Sequence, residues 1–122
     1  MSKTILIVDD SYSLRQALSI ALRGAGYEVL EAEDGRQALT RLDGKKINLI
    51  ISDVNMPNMD GISFAKAAKA LPNYRFTPIV MLTTEADSTK VQEGKAAGVR
   101  AWIVKPFQPQ VLLDAVAKLV LA

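Results

Sequence analysis

Three stretches of this chain are apolar almost without interruption: Ile5-Leu6-Ile7-Val8, Leu49-Ile50-Ile51 and Ile79-Val80-Met81-Leu82. A run with no polar alternation is expected of a strand buried on both faces, as in a parallel sheet covered by helices on each side. The runs also end abruptly on polar residues. Asp9-Asp10 follows the first, Asp53 closes the second after Ser52, and Thr83-Thr84 follows the third. A fourth run, Ala101-Trp102-Ile103-Val104, ends on Lys105-Pro106, and Asn55 lies two residues past Asp53. In parallel α/β sheets ligands bind just beyond the carboxyl ends of the strands. Three carboxylates, a hydroxyl and an ammonium are therefore expected to meet in one place.

The remaining segments fill in around these runs. Strands are predicted at 4–8, 28–32, 49–53, 79–83 and 101–104. Glu28-Val29-Leu30-Glu31-Ala32 alternates polar and apolar residues, which suits a strand nearer the sheet edge. Helical spacing occupies each gap. Leu14, Ala17, Leu18, Ala21 and Leu22 form one stripe, closed by Gly24 and Gly26. Ala38, Leu39 and Leu42 form a short second stripe. Ile62, Ala65, Ala68 and Ala70-Leu71 form a third, stopped at Pro72. A fourth helix is predicted over about 87–97, capped by Asp87 or Ser88 and ended by Gly98. The fifth starts at Gln108, with Pro109 suited to its first turn. Its expected buried stripe is Val111, Leu112, Ala115, Val116 and Leu119.

Five strands alternating with five helices predict a doubly wound α/β sheet. A dinucleotide site would need G-x-G-x-x-G after the first strand. This chain has Asp-Asp-Ser-Tyr-Ser-Leu there, which would repel a pyrophosphate. The flavodoxin-like (βα)5 order 2-1-3-4-5 is therefore expected, with its switch point between Asp9-Asp10 and Asp53. The 122 residues suit one domain, 1–122, and the chain stops after the fifth helix, so no output domain is expected.

Two absences narrow the chemistry. There is no cysteine and no histidine. That excludes disulfides, thiolate chemistry, imidazole metal sites, Ser-His-Asp catalysis and service as a phosphohistidine carrier. Lys and Arg number 15 against 13 Asp and Glu, with no dense basic run, so no nucleic-acid partner is expected. The apolar runs fall far short of the roughly twenty residues that span a bilayer, and no signal peptide precedes them. No membrane partner and a cytoplasmic location are the expectation.

Three carboxylates in one cleft either raise a pKa or recruit a cation. Oxygen ligands without His or Cys select a hard ion, and few ligands plus water suit Mg²⁺. Asp9, Asp10, Asp53 and Asn55, the last through its backbone carbonyl, are the candidate ligands. Asp53 is the candidate nucleophile, since carboxylates form acyl phosphates. Phosphoryl transfer asks chiefly for positioning and for charge on the non-bridging oxygens, which Lys105 and the Thr83 hydroxyl can supply. Lys105-Pro106 is a candidate cis peptide. Asn55-Met-Pro-Asn-Met-Asp60-Gly61 is a turn-rich loop that delivers the chain into the third helix.

Together, Asp9-Asp10, Asp53-x-Asn55-Met-Pro-x-Met-Asp-Gly61, Thr83 and Lys105-Pro106-Phe107 resemble the receiver domain of two-component response regulators, of the stand-alone CheY type. The resemblance spans essentially the whole chain. CheY is itself a standard example of the 2-1-3-4-5 order, so topology and resemblance form one argument rather than two. The resemblance implies that Asp53 is phosphorylated by a histidine kinase's phosphohistidine. It implies that Asp10 ligates Mg²⁺ directly, that Asp9 acts mainly through water, and that Thr83 and Lys105 engage the phosphoryl group. It places Trp102 at the aromatic switch position, and Thr84, Glu85 and Pro106 beside the site.

This chain departs from the family pattern in two places. The switch aromatic is usually Tyr or Phe, so the larger Trp102 puts the usual Thr–aromatic coupling in question; a partly exposed strand residue is the other reading of it. Thr84 stands where a smaller residue is common. The expected function is a phosphorylation-dependent switch that binds a partner protein in chemotaxis or motility, through a face of the fourth helix, fifth strand and fifth helix that includes Lys90, Lys95, Trp102 and Lys118. It is not expected to be an enzyme beyond Mg²⁺-dependent self-phosphorylation and autodephosphorylation. A phosphate sink or phosphorelay intermediate is the alternative. Aspartate-nucleophile phosphatases of the haloacid dehalogenase type are a remote one, since they carry a second Asp as general acid where this chain has Asn55.

Overall fold

Five parallel strands form the single sheet of the computed structural model, which describes residues 2–83 and 88–121, with Ser88, Thr89 and Lys90 described by backbone alone. The elements are β1 (Thr4–Val8), α1 (Tyr12–Gly24), β2 (Glu28–Ala32), α2 (Gly35–Arg41), β3 (Leu49–Asp53), α3 (Gly61–Ala70), β4 (Ile79–Thr83), α4 (Ser88–Ala96), β5 (Ala101–Val104) and α5 (Pro109–Leu119), with a 3-10 turn at Pro72–Tyr74. All five strands match their predicted bounds. The order is β2-β1-β3-β4-β5, so β1 and β3 are the central neighbours at which the winding reverses. No described helix is long and apolar enough to cross a membrane.

Burial explains the sequence pattern. The uninterrupted runs β1, β3 and β4 are interior, while alternating β2 lies at one edge with Glu28 exposed. Successive residues feed opposite layers. Ile5, Ile7, Leu49, Ile51, Val80 and Leu82 pack with Leu18 and Leu22 of α1 and Leu112 and Val116 of α5. Leu6, Val8, Ile50, Ile79 and Met81 pack with Ala38 of α2 and with Ile62, Phe64, Ala65 and Ala68 of α3.

The helices begin on side-chain caps. Ser11, Asp34 and Asp60 accept from the backbone N–H of Leu14, Gln37 and Ser63, satisfying donors that the first turn leaves unpaired. Asp9-Asp10 is thus not needed to cap α1. Gly26 and Gly98 follow α1 and α4 with φ of 95° and 94°, a conformation that a side chain would strain. Asp87, one of the predicted caps of α4, lies outside the described residues.

Three stripe assignments are corrected. Val111 is 52% exposed, because α5 turns only Leu112 and Val116 fully inward. Ala17 and Ala70 are also exposed, while Phe64, Arg15 and Ser19, outside the predicted stripes, are buried. Apolar spacing gives the inward direction of a helix only to within about a residue, and small alanines tolerate the rim of the stripe.

Candidate functional site

The carboxyl ends of β1, β3, β4 and β5 converge as expected. Asp9 continues β1: its N–H donates to the Ala32 carbonyl at 3.1 Å, and its Oδ1 accepts from Ser11 N–H at 2.8 Å. Its side chain is fully buried, whereas Asp10 turns out to solvent. Asp53 ends β3, and its Oδ1 accepts from Val54 N–H at 2.9 Å. One carboxylate oxygen from each of Asp9, Asp10 and Asp53 lies within 4.8 Å of the others. Lys105 reaches in from the end of β5. Its Nζ stands 3.2 Å from Asp53 Oδ1 and 3.5 Å from Asp9 Oδ2.

One ammonium does not neutralise three carboxylates. Burial, reinforced by the negative charge of Asp9, pushes the Asp53 carboxyl above the ordinary carboxylate range, and Lys105 offsets only part of this. The donors are all oxygen, as a hard divalent ion requires, so the residues present fit Mg²⁺.

Thr83 is buried at the end of β4, paired with Val104. Its carbonyl accepts from Lys105 N–H at 2.7 Å, which ties the two helper residues through the backbone. The Lys105–Pro106 bond is cis. Asn55 is exposed in the loop after β3. Thr84 and Glu85 lie outside the described residues. Pro106 and Phe107 line an apolar groove of about 520 Å³ between α1 and α5, with Leu14, Leu18 and Leu112. Among the described residues no carboxylate lines the groove, and Lys105 stands at its rim.

Close approaches that spacing could not show complete the site. A Cβ on Gly61 would lie 2.1 Å from the Asp53 carbonyl oxygen, so only glycine lets the loop close back onto the strand that carries Asp53. Gly61 N–H donates to the Val54 carbonyl at 2.8 Å. Asn58, at φ 67°, donates from Nδ2 to Asp34 at 2.7 Å. Arg15, passed over in sequence as one residue of α1, is buried against Asp9 and Glu31. Its only signal was a guanidinium between Leu14 and Leu18 on an otherwise apolar face.

Trp102 stands opposite Met81 and packs toward the α2–α4 layer. A Cβ on Gly94 would fall 2.1 Å from the indole Cζ2, so the ring lies directly on the backbone of α4. Its Nε1–H is buried without a partner among the described residues. Trp102 is half-buried, in keeping with its reading as a partly exposed strand residue, and its ring rests on α4.

Residues 5–117 match the model of the response regulator receiver domain. The chain belongs to that family. Receiver domains of this kind are two-component signalling domains. Chemotaxis protein CheY1 of Helicobacter pylori is 43% identical over 112 residues, covering 90% of each chain. The crystallised chemotaxis protein CheY4 of Vibrio cholerae superposes with a TM-score of 0.93 at 49% identity, covering 98% of this chain and 100% of that one. The receiver domain of a Pseudomonas aeruginosa sensor histidine kinase, solved with a magnesium ion coordinated in its active site cleft, superposes with a TM-score of 0.89 at 28% identity, covering 98% of each. The receiver's acidic cluster is thus present here, in a CheY-type frame.

Proposed function

We propose that this receiver is a switch thrown by phosphorylation of Asp53. The observation that carries the reading is the convergence of three carboxylates and Lys105 at the β1/β3 reversal, with Asp53 already disfavoured as a bare anion. The two Asp53 oxygens are not equivalent. Oδ1 is held by Val54 N–H and Lys105 Nζ, which leaves Oδ2 to attack phosphorus. The O–P bond forms as the N–P bond of a kinase phosphohistidine breaks, and the leaving imidazole takes up a proton. Asp9, Asp10, Asp53 and the Asn55 carbonyl would hold Mg²⁺, which when bound neutralises charge on the phosphoryl oxygens. Lys105 pairs with one such oxygen, and the Thr83 hydroxyl donates to another.

The histidine kinase is one partner. The other is a protein that recognises the α4–β5–α5 face, where Lys95, Trp102 and Lys118 stand. The similarity to proteins named for chemotaxis favours a target in motility. Phosphorylation adds about −1.5 to −2 charges at one point, and the target needs only a higher affinity for one of the two states.

With radiolabelled acetyl phosphate and Mg²⁺, an acyl phosphate is expected on the chain and none on Asp53→Ala. Label that survives Asp53→Ala would falsify the assignment. A pull-down with beryllofluoride, which mimics the aspartyl phosphate, should capture a target absent from the untreated sample; short-lived phosphate with no captured target would instead mark a phosphate sink.

A further inference from the structure

Arg15 is 7% exposed, and a guanidinium that deep must be satisfied by specific partners. Its Nη1 donates to the Asp9 carbonyl at 2.7 Å, and its Nε donates to Glu31 Oε1 at 3.3 Å. Gln16 Nε2 donates to the same oxygen at 3.5 Å. The Tyr12 ring covers the guanidinium at 5.6 Å. Helix α1 does not need this contact for its start, since Ser11 already caps it.

The contact bears instead on the acidic turn. The last β1–β2 backbone bond runs from Asp9 N–H to Ala32. Beyond it, the guanidinium bridges the strands by taking the Asp9 carbonyl and the Glu31 side chain. The Asp9 carbonyl lies in the same rigid plane as the Asp10 N–H and Cα. Holding that oxygen therefore sets the peptide unit from which both carboxylates project. Glu31 has a second effect: it neutralises a cation that would otherwise oppose metal binding nearby.

We propose that Arg15, held by Glu31, is the positioning residue that orients Asp9 and Asp10 for a divalent cation. This rests on the Mg²⁺ reading of the site given above. It links edge strand β2, which contributes no ligand, to the chemistry.

The sign of one measurement decides the matter. Removing a positive charge beside a cation site should tighten Mg²⁺ binding if charge is all that Arg15 contributes, whereas loss of positioning should weaken it. Titration calorimetry of the full chain with Mg²⁺ is expected to show about a tenfold higher Kd for Arg15→Gln, as for other residues that orient metal ligands. Arg15→Lys, which keeps the charge and one donor, should recover part of the loss. An Arg15→Gln chain that is folded by circular dichroism and binds Mg²⁺ equally or more tightly overturns the proposal. If Arg15→Gln does not fold, Arg15→Lys carries the test: it keeps the charge but loses the two-point hold on the Asp9 carbonyl and Glu31, so weaker binding than in the unsubstituted chain supports the proposal, and unchanged binding overturns it. If the unsubstituted chain shows no saturable Mg²⁺ binding, the metal reading itself fails. Binding that is intact there and unaltered in the variants removes this inference alone.

Discussion

The two ends of the sheet treat buried polar groups in opposite ways. At the amino end, Asn48 is buried and fully used. Its Oδ1 accepts from Thr4 N–H at 2.9 Å, its Nδ2 donates to the Leu121 carbonyl at 3.0 Å, its own N–H donates to Thr4 at 2.8 Å, and its carbonyl accepts from Leu121 N–H at 3.0 Å. One neutral amide thus ties the start of β1, the start of β3 and the end of the chain. At the carboxyl end, Asp9, Asp10 and Asp53 crowd together with one ammonium between two of them. The first arrangement is complete by itself; the second is left short of positive charge. Stability is built at one end of the sheet, and capacity for chemistry is held at the other, at some cost to stability.

That contrast can be broken by mutation. Asn48→Ala leaves two part-buried backbone groups, the Thr4 N–H and the Leu121 carbonyl, without their side-chain partner and should cost about 1–3 kcal/mol by denaturant unfolding, with Mg²⁺ affinity unchanged. A loss below about 1 kcal/mol would show that the amino end is not the tie described. Asp53→Asn keeps an acceptor for Val54 N–H while removing a charge. In metal-free solution at pH 7 it should raise stability by about 1 kcal/mol and sharply weaken Mg²⁺ binding. A destabilised Asp53→Asn would remove the contrast.

The pH dependence sharpens the same point. The folded Asp53 carboxyl is raised above its unfolded value. Below the ordinary carboxylate range, about pH 4, the group is protonated in both states and costs nothing. Above the raised folded value it imposes its full cost. The advantage of Asp53→Asn should therefore be greatest at neutral pH and shrink as pH falls through the raised value toward about 4. An advantage that stays constant across this window would assign the cost to something other than ionisation.

The smallest expected effect lies at the β5 edge of the sheet. Gly94→Ala gains up to about 1 kcal/mol of helix propensity but displaces the indole, so net stability should change by less than about 1 kcal/mol. The chain has one tryptophan, so its emission reports Trp102 alone. A red shift in Gly94→Ala is expected as the ring meets water, and an unshifted spectrum would mean that the ring is not seated on α4.

Much of the fold was legible because β1, β3 and β4 carry their burial in composition, and β2 carries its edge position in alternation. The site was legible because it sits at strand ends, whose positions follow once the strands are known. What escaped were facts about partners. Val111 shares the apolar stripe of α5, yet it lies half exposed at the rim of that stripe. Arg15 looks like one more helix residue until Asp9 and Glu31 close around it. Gly61 and Gly94 read as loop and helix glycines, but their lack of a side chain matters only because the Asp53 carbonyl and the Trp102 ring come so near.

The chain alone determined which residues could do chemistry and that they would gather at the carboxyl end of a parallel sheet. Strand length, apolar continuity and the absence of His and Cys are local properties and need no neighbours. Only the tertiary structure decided how far apart the carboxylates stand, which of the Asp53 oxygens is held, what supports Asp9, and where the indole lies. Those depend on contacts between segments distant in sequence, and periodicity gives a side chain's direction without naming what it meets.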